Sequence, residues 1–379
     1  MSASRRQLLA LTIALGGASV FSRARAQTSV IEAPIRLENG RVLMDVTLNG
    51  AGPFPFALDT GAEVAGLRLA LAQRLGLREL RRIRLGGAMF PFYGVSEMVF
   101  GGAVRQTNAG LFGLEGRILG AEGLLAAGLL TSMDSELLFE AGLWRVHPSG
   151  GPDRTGFTRL DGAIEPAKVE GLSARPFAKV DLNGQTERVV LDTGGPRPLS
   201  LSRKRAETLG LWSDALPFAP IPHSNILGRS PEPSRLVRAP RLAIGPAIYE
   251  NVLVALNAAE NIGGETILGL PIIQTLDLSI ARADNAIWVR RNGLKVTEPT
   301  YGLSGLWLSE TRGGVRVDVV GAGSPAAAAD VRVGDILLDV SNLREGIDRV
   351  GGAAGREVGI RLRRGGETVE AAFTQSAYL

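Results

Sequence analysis

Two stretches of the chain carry the same tripeptide at the end of an apolar run. The first reads Phe56-Ala57-Leu58-Asp59-Thr60-Gly61-Ala62, and the second reads Val189-Val190-Leu191-Asp192-Thr193-Gly194-Gly195. A single Asp-Thr-Gly is weak evidence, because all three residue types favour turns. Two copies in the same sequence context indicate a duplicated unit.

The segments around the two tripeptides also match. Before each one, an alternating strand ends at Asn-Gly, which is typical of a β-hairpin turn. After each one, a short helix ends at Leu-Gly-Leu, with glycine in the C′ position. The matching segments are Val46–Gly50 and Val180–Gly184, Leu69–Leu77 and Ser202–Leu211, and the closing runs Leu143–Val146 and Ile287–Arg290. These matches predict two homologous β-rich lobes, residues 35–148 and 165–292.

The chemistry of Asp-Thr-Gly at the end of a buried strand follows from the three residue types. A buried carboxylate needs hydrogen bonds or a partner to offset its lost hydration. Glycine allows a tight turn and leaves its N–H free for the carboxylate, and the threonine hydroxyl can bond across to the other copy. If a pseudo-two-fold axis brings Asp59 and Asp192 face to face, they share one proton, so that one is an acid and the other a base. A water between them suits peptide hydrolysis without a covalent intermediate.

The composition of the 379-residue chain excludes most other chemistries. It contains no cysteine, which removes disulfides, thiolate metal sites and a cysteine nucleophile. The two histidines, His147 and His223, leave little material for a serine–histidine triad or a multi-histidine metal site. Carboxylates remain for acid–base chemistry, and we expect no metal and no cofactor.

The first 26 residues have the order of a secretory signal. Paired arginines in Ser4–Leu9 precede the apolar run Leu8–Phe21, and Ala24-Arg25-Ala26 has the form of a cleavage site. The paired arginines resemble a twin-arginine export signal. We therefore expect residues 1–26 to be a signal peptide and the protein to be periplasmic or secreted, with no stable membrane span after signal removal. An N-terminal membrane anchor is the alternative.

The charge balance argues against a polyanionic partner. The chain has 42 basic and 38 acidic residues, and the first 26 residues hold four arginines and no acid. The rest of the chain is therefore formally neutral. Capture of nucleic acid or anionic lipid needs a net or clustered positive field, so we expect no nucleic-acid partner.

The duplicated motif resembles that of the retropepsin-like aspartic proteases. Leu58–Ala62 matches the family signature fully, and Leu191–Gly195 matches through its core. The downstream apolar-apolar-Gly element occurs in Thr266–Ile273. The resemblance implies a mainly β fold, with two tandem β-barrel lobes forming a pseudo-two-fold dimer in one chain. It also implies a catalytic Asp59/Asp192 dyad and a set of dyad-supporting residues: Thr60, Gly61, Thr193, Gly194 and Gly269.

Three features of the chain bear on this resemblance. In the first lobe the bracing segment is Gly123–Leu130, with Ala126 where glycine is expected, or else Ile118-Leu119-Gly120 in another register. In the second lobe, Gly195-Pro196 replaces the usual small residue, and proline lacks an N–H. The stretch 86–94 is rich in glycine and aromatic residues and is expected to be a mobile flap. Its candidate residues are Gly86, Gly87, Tyr93 and Gly94.

Residues 296–379 follow a different pattern. Strands surround an alanine-rich helix that is capped by Ser324 and begins at Pro325, and a turn at Gly334-Asp335 leads into another strand. This arrangement resembles a bacterial PDZ domain, a small α+β fold. The resemblance implies that the N–H groups of a loop receive a peptide carboxylate, and that the following strand pairs with the ligand. The loop residues are Gly305, Leu306, Trp307 and Leu308.

Two features depart from the PDZ pattern. Glycine is expected near Asp330 and is absent, and the segment Asn342–Ala354, which should form the groove-lining helix, contains three glycines. A purely structural PDZ domain, clamped on the lobes, is therefore the alternative to a ligand-binding one.

Two functions are compatible with these patterns. The first is an exported aspartic endopeptidase that takes polypeptide in extended conformation, with a PDZ domain that binds the C-terminal peptide of a substrate or partner. The second is a catalytically inactive envelope protein whose protease-like lobes only bind extended peptide.

Overall fold

The structure is a computed structural model that describes residues 30–379 except Gly86, 117–119, 149–150, His223, 226–227, 230–231 and 260–263. Of residues 224–225 and 228–229 it describes the backbone alone. The predicted signal peptide, the flap candidate Gly86, Ile118 and Leu119 of the alternative bracing register, and His223 lie outside the described residues. Within these ranges, no helix has the length and apolar character needed to cross a membrane.

The first copy of the repeat is built almost entirely of strands. Its elements are β1 (Ile31–Pro34), β2 (Arg36–Glu38), β3 (Arg41–Leu48), β4 (Ala51–Leu58), β5 (Gly66–Arg68), α1 (Leu69–Arg74), β6 (Glu79–Leu85), β7 (Ala88–Phe100), β8 (Val104–Leu114), β9 (Gly123–Leu125), α2 (Gly128–Thr131), β10 (Ser135–Leu138) and β11 (Leu143–Val146).

The second copy has the same kinds of elements in the same order, with one small extra hairpin. Its elements are β12 (Thr158–Arg159), β13 (Gly162–Glu165), β14 (Arg175–Leu182), β15 (Gln185–Asp192), β16 (Leu199–Ser202), α3 (Arg203–Thr208), β17 (Ala219–Ile221), β18 (Ser224–Asn225), β19 (Gly228–Arg229), β20 (Ser234–Ile244), β21 (Ala247–Asn257), β22 (Thr266–Gly269), α4 (Leu270–Ile273), β23 (Leu276–Ala281) and β24 (Ala286–Arg291).

The remaining residues form a C-terminal unit with a core of its own. Its elements are β25 (Leu306–Thr311), β26 (Gly314–Val320), α5 (Pro325–Ala328), β27 (Ile336–Leu337), α6 (Leu343–Val350), β28 (Glu357–Arg364) and β29 (Glu367–Thr374). The five strands pair in sequence order as one sheet, and the buried residues of this unit form a cluster separate from the large core of the two copies. The mainly β fold expected from the sequence is confirmed.

The two copies fold into eight-stranded sheets with corresponding strand orders. The first sheet runs β2-β3-β4-β9-β5-β8-β7-β6, and the second runs β13-β14-β15-β22-β16-β21-β20-β17. An additional pairing joins β3 to β7 in the first sheet and β14 to β20 in the second. Because these pairings join strands that are distant in the order, each sheet curls back on itself.

The turn and helix-end residues predicted from the repeat lie at the ends of these strands and helices. Asn49-Gly50 and Asn183-Gly184 form the predicted hairpin turns, and all four residues have positive φ, as a type I′ turn requires. The helices α1 and α3 are both followed by a glycine with positive φ. The predicted turns and short helices are therefore present in both copies.

A third sheet of six strands joins the two copies. Its order is β1-β11-β10-β23-β24-β12, so three strands come from each copy and β10 pairs with β23 at the centre. We call this sheet the seam. The closing runs predicted from the repeat are β11 and β24 of the seam, and apolar residues of both copies form one continuous core. The seam therefore fixes the two eight-stranded sheets relative to each other.

The C-terminal unit accommodates its two departures from the PDZ pattern. Asp330 adopts the left-handed conformation, with φ of 56°, that glycine was expected to adopt, and aspartate tolerates this region better than most residues. The helix α6 ends before Gly351, and Gly346 lies inside it. A Cβ at Gly346 would lie 2.9 Å from Val315 Cγ1, so glycine allows α6 to pack closely on the sheet.

Substitution of Leu137 tests whether the seam is a tightly packed part of the core. It is fully buried in β10, opposite Leu278 of β23. Replacing it with alanine removes buried apolar atoms and leaves a cavity, so we expect Leu137→Ala to lower the free energy of unfolding by about 2–5 kcal/mol. Urea titration measures this loss. Leu80→Ala, at a side chain that is 56% exposed, is the control and should change stability by less than about 0.5 kcal/mol. Equal losses in the two variants would contradict a packed seam.

Candidate active site

Asp59 and Asp192 stand at corresponding places in the two sheets. Asp59 directly follows β4, and Asp192 is the last residue of β15. Each strand pairs in parallel with a bracing strand, β9 in the first sheet and β22 in the second. Both aspartates remain partly exposed, whereas the residues on either side of each are buried. The two carboxyl groups are therefore held by rigid strand ends and are open to solvent on one side.

The two threonines of the motif bind each other's strands. The Thr60 hydroxyl donates to Leu191 O at 2.6 Å, and the Thr193 hydroxyl donates to Leu58 O at the same distance. In return, Thr60 N–H donates to Thr193 Oγ1 at 3.1 Å, and Thr193 N–H donates to Thr60 Oγ1 at 2.9 Å. Both threonines are fully buried. This reciprocal set of four hydrogen bonds fixes the two strand ends against each other.

The glycines of the motif bring the carboxyl groups together. Gly61 N–H donates to Asp59 Oδ1 at 3.1 Å and to Asp192 Oδ1 at 3.2 Å, and Gly194 N–H donates to Asp192 Oδ1 at 2.8 Å. A Cβ at Gly61 would lie 2.5 Å from Asp192 Cγ, and one at Gly194 would lie 2.5 Å from Asp59 Cγ. Both carboxyls accept from the same Gly61 N–H, which places them side by side. Only glycine fits at these positions, because each backbone passes directly beside the opposite carboxyl.

Burial raises the pKa of both carboxyls, most strongly at Asp59. At Asp59 the charge of Asp192 and the hydrogen bond between the carboxyls add to burial, while Gly61 N–H and the charge of Arg41 oppose it. At Asp192 the hydrogen bond with Asp59 and the N–H groups of Gly194 and Gly61 favour the ionised form. The pKa of each carboxyl therefore lies above its usual value, and the N–H donors limit the rise at Asp192.

The bracing segments show why glycine is needed in one copy and alanine is accepted in the other. Gly269 lies opposite Asp192, and a Cβ there would lie 2.1 Å from Arg197 O. In the first copy β9 provides the brace, so the register with Ala126 after Leu125 is the one observed. Ala127 N–H donates to Ala62 O at 2.9 Å, which matches the Leu270-to-Gly195 bond of the second copy. Alanine at position 126 therefore leaves the brace intact.

Gly195-Pro196 leaves the turn after Asp192 unchanged. Gly195 N–H donates to Asp192 O at 3.1 Å, and Ala62 N–H donates to Asp59 O at 3.2 Å in the first copy. Pro196 is exposed, so its missing N–H leaves no buried acceptor without a donor.

Two arginines next to the carboxyl pair were not identified from the sequence. Arg41 begins β3 and donates to Gly194 O at 3.1 Å, and Arg175 begins β14 and forms an ion pair with Glu63 at 3.2 Å. Each arginine therefore connects its own sheet to the motif turn of the other sheet. The signal that could have found them is the repeat itself, because both precede the Asn-Gly turn at the same distance.

The flap candidates of the first copy lie in a long hairpin, β6 and β7, which we call the first hairpin. Gly87 is at its turn, with φ of 91°. Tyr93 and Gly94 lie in the part of β7 that pairs with β8, so they belong to the body of the sheet and only the residues nearer the turn protrude. The second sheet has a counterpart that the sequence did not reveal, built from β17, β18, β19 and the start of β20. We call these four strand segments the second hairpin.

The carboxylate-loop candidates lie in the C-terminal unit, away from the aspartates. Gly305 is in a turn with φ of 77°, and Leu306, Trp307 and Leu308 begin β25, with a β-bulge between Trp307 and Leu308. Gly305 N–H donates to Gly302 O at 3.2 Å. This N–H is therefore already paired, and the loop ends earlier than the sequence suggested.

His147 is paired within the seam and not with the aspartates. His147 bonds to Glu136 at 2.9 Å, and both are buried in the seam. In the described part of the chain, no group of three or more histidine, aspartate or glutamate side chains is arranged to hold a metal ion.

The match of part of the chain to a protein family supports a peptidase. Residues 178–272 match the sequence profile of a family described as aspartyl protease, and this range contains Asp192 and Gly269. A crystal structure of a retropepsin-like aspartic protease from Rickettsia conorii is similar over 35% of this chain and 90% of that chain, with 11% identity and a TM-score of 0.27. A search of curated proteins gives no match.

Removing one threonine hydroxyl should weaken the connection between the sheets. Thr60→Val keeps the shape of the side chain but leaves Leu191 O and Thr193 N–H buried without partners, at about 1–3 kcal/mol each. We therefore expect the variant to lose about 2–6 kcal/mol of unfolding free energy, as measured by denaturant titration. Thr60→Ser keeps the hydroxyl and should lose only about 1 kcal/mol, the value of one methyl group. Equal losses in Thr60→Val and Thr60→Ser would show that the hydroxyl contributes little.

The raised pKa of Asp59 predicts a pH-dependent stability. The folded chain holds a proton on Asp59 more tightly than the unfolded chain does. This stabilisation is complete below about pH 4, the ordinary carboxyl pKa, and is lost as the pH rises through the raised pKa. Asparagine does not ionise, so Asp59→Asn should melt at a higher temperature than the unsubstituted protein at pH 8, and the difference should shrink towards pH 4.

Calorimetry at several pH values measures this effect. Asp284→Asn, at an exposed carboxylate of the second copy, is the control and should melt with the unsubstituted protein throughout. A difference for Asp59→Asn that does not vary with pH would contradict a raised pKa at Asp59.

Proposed function

We propose that this protein is an exported aspartic endopeptidase. In this proposal two retropepsin-like lobes, residues 35–148 and 165–292, form a pseudo-dimer in one chain, with Asp59 and Asp192 as its catalytic dyad. The observation that carries the proposal is the carboxyl pair itself, in which both groups accept from the shared Gly61 N–H and each motif glycine lies directly beside the opposite carboxyl. Thr60, Gly61, Thr193, Gly194 and Gly269 hold this pair in place.

The two carboxyls take different roles because their surroundings differ. Asp192 accepts N–H donors from both motif turns and stays ionised, so it takes a proton from the attacking water. The water oxygen then bonds to the carbonyl carbon of the scissile peptide, while Asp59 gives its proton to the carbonyl oxygen. Asp192 then gives its proton to the leaving nitrogen, one hydroxyl of the tetrahedral intermediate returns its proton to Asp59, and the C–N bond breaks to release an amine and a carboxylic acid.

The substrate is a polypeptide in extended conformation. The terminal strands of the two eight-stranded sheets, β6 and β17, belong to the first and second hairpins. Edge strands offer unpaired N–H and C=O groups, so an extended chain lying between the hairpins can add to β6 as a further strand. The hairpins then cover the substrate and exclude water from the reacting carbonyl.

The C-terminal unit acts as a PDZ domain that binds the C-terminal peptide of a substrate or partner. Its terminal strand, β25, lies next to α6, and Ile347 on α6 keeps 53% of its surface exposed. An edge strand beside an exposed apolar side chain suits a peptide that ends in an apolar residue. Export rests on residues 1–26, and the periplasm or the exterior is the proposed location.

Substitution of either aspartate tests the proposed function. The protein without residues 1–26 is incubated with a labelled unfolded polypeptide from acidic to neutral pH, and the initial cleavage rates are compared. Asp59→Asn and Asp192→Asn should each lower kcat by about 10³-fold, because each removes one half of the acid–base pair. Asp284→Asn is the control and should cleave at the rate of the unsubstituted protein.

Two results would contradict the proposal. Cleavage that survives at the full rate in either dyad variant would place the chemistry elsewhere. A folded, unsubstituted protein that cleaves at no pH would leave the peptide-binding envelope protein as the function.

A further inference from the structure

The last two residues of the chain fold back onto the second sheet. Tyr378 N–H and Leu379 N–H both donate to the Tyr301 hydroxyl, at 3.2 and 3.1 Å. The rings of Tyr301 and Tyr378 meet edge to face, with centroids 5.5 Å apart. The three side chains pack on a buried apolar patch whose members are Ala219, Ile221, Leu236, Leu253 and Ala255. The first two of these lie in β17, so the chain terminus rests on the base of the second hairpin.

Phe218, the residue before β17, is held by the C-terminal unit through its backbone. Its N–H donates to Ala322 O at 3.2 Å, and its carbonyl accepts from the Tyr378 hydroxyl at 3.4 Å. The contact is close, because a Cβ at Gly321 would lie 2.3 Å from Phe218 O. Both backbone groups of the residue that leads into the second hairpin are therefore bound by the C-terminal unit.

The ring of Phe218 is fixed from its other side. The guanidinium of Arg235 lies over the Phe218 ring at 4.1 Å and over the Trp212 ring at 4.7 Å, and it pairs with Asp214 at 2.7 Å. Arg235 belongs to β20 and lies opposite Pro220 of β17. The two strands at the base of the second hairpin therefore form one packed unit with Phe218.

The first hairpin has no such support. Among the described residues, no hydrogen bond or ion pair connects the C-terminal unit to β6 or β7. Leu80 and Met89 of the first hairpin are 56% and 45% exposed. The two hairpins therefore differ in their surroundings, because the C-terminal unit contacts the second hairpin and, over the residues that the structure describes, forms no such bonds with the first.

The end of β25 that carries the carboxylate-loop candidates touches the same residues. A Cβ at Gly305 would lie 2.2 Å from Ser324 Cβ and 3.0 Å from the Tyr378 hydroxyl oxygen. In addition, β25 lies against β17. Gly305 and Phe218 are thus both neighbours of the same tyrosine hydroxyl.

We propose that Tyr378 and Leu379, seated on Tyr301, are a clasp that couples the C-terminal unit to the second hairpin. The clasp restrains β17, so a peptide bound at the Gly305 end of β25 alters the mobility of one hairpin and leaves the other unchanged. The consequence for cleavage rests on the proposed function, because there the hairpins cover the substrate. The mechanical coupling does not depend on catalysis.

Hydrogen exchange in the full chain tests the clasp without reference to catalysis. Deletion of Tyr378 and Leu379 should speed exchange of the Phe218, Ala219 and Ile221 amides by about tenfold or more, because they open locally once the support is lost. Tyr301→Phe keeps the ring but removes the shared acceptor, so it should produce a smaller increase at the same amides. Val333→Ala, at an exposed side chain of the C-terminal unit, is the control and should leave them unchanged.

The first hairpin serves as the internal reference in each spectrum. Faster exchange confined to residues 218–221, with β6 and β7 unchanged, supports the clasp. Unchanged exchange at residues 218–221 in both variants overturns it, and so does an equal increase in both hairpins. A parallel cleavage assay separates the two proposals. If the unsubstituted protein does not cleave the polypeptide, the proposed endopeptidase activity is contradicted, and the exchange data still decide whether the clasp exists. If it does cleave, the deletion should raise KM more than it lowers kcat.

Discussion

The exchange of hydrogen bonds between Thr60 and Thr193 is the constraint on which the rest of the structure depends. Each hydroxyl donates to a carbonyl of the opposite strand and accepts the opposite N–H, and no water reaches either group. A buried group that loses its partner is costly, so the four bonds are satisfied together or not at all. The seam fixes the two eight-stranded sheets relative to each other, and the threonines fix the two strand ends that carry the aspartates.

That arrangement forces two carboxyl groups together, and the surrounding residues reduce the cost. The N–H groups of Gly61 and Gly194 donate to Asp192 and stabilise a negative charge there. Arg41 and Arg175 bring positive charge to the same interface from opposite sheets. The endopeptidase that we propose would use this pair as its acid and its base.

The sequence predicted features that depend on local chemistry. Asn-Gly specified the hairpin turns, Leu-Gly-Leu the helix ends, and the two apolar runs the strands that end at Asp59 and Asp192. It did not predict contacts that depend on how distant segments pack. Arg41 reaching Gly194 and Leu379 reaching Tyr301 leave no local pattern, and the second hairpin carries no glycine-rich signal like that of residues 86–94. Tyr93 looked like part of a protruding flap, but its pairing with Leu111 of β8 places it in the sheet.

Titration of the two aspartate side chains by NMR, with carbon-13 at the carboxyl carbons, tests the shared proton most directly. The account predicts two coupled steps, with one carboxyl titrating well above the ordinary range near pH 4 and each curve changing when the other residue is replaced by asparagine. Two independent titrations at the ordinary carboxyl pKa, each unaffected by the other substitution, would show that the carboxyls do not share a proton.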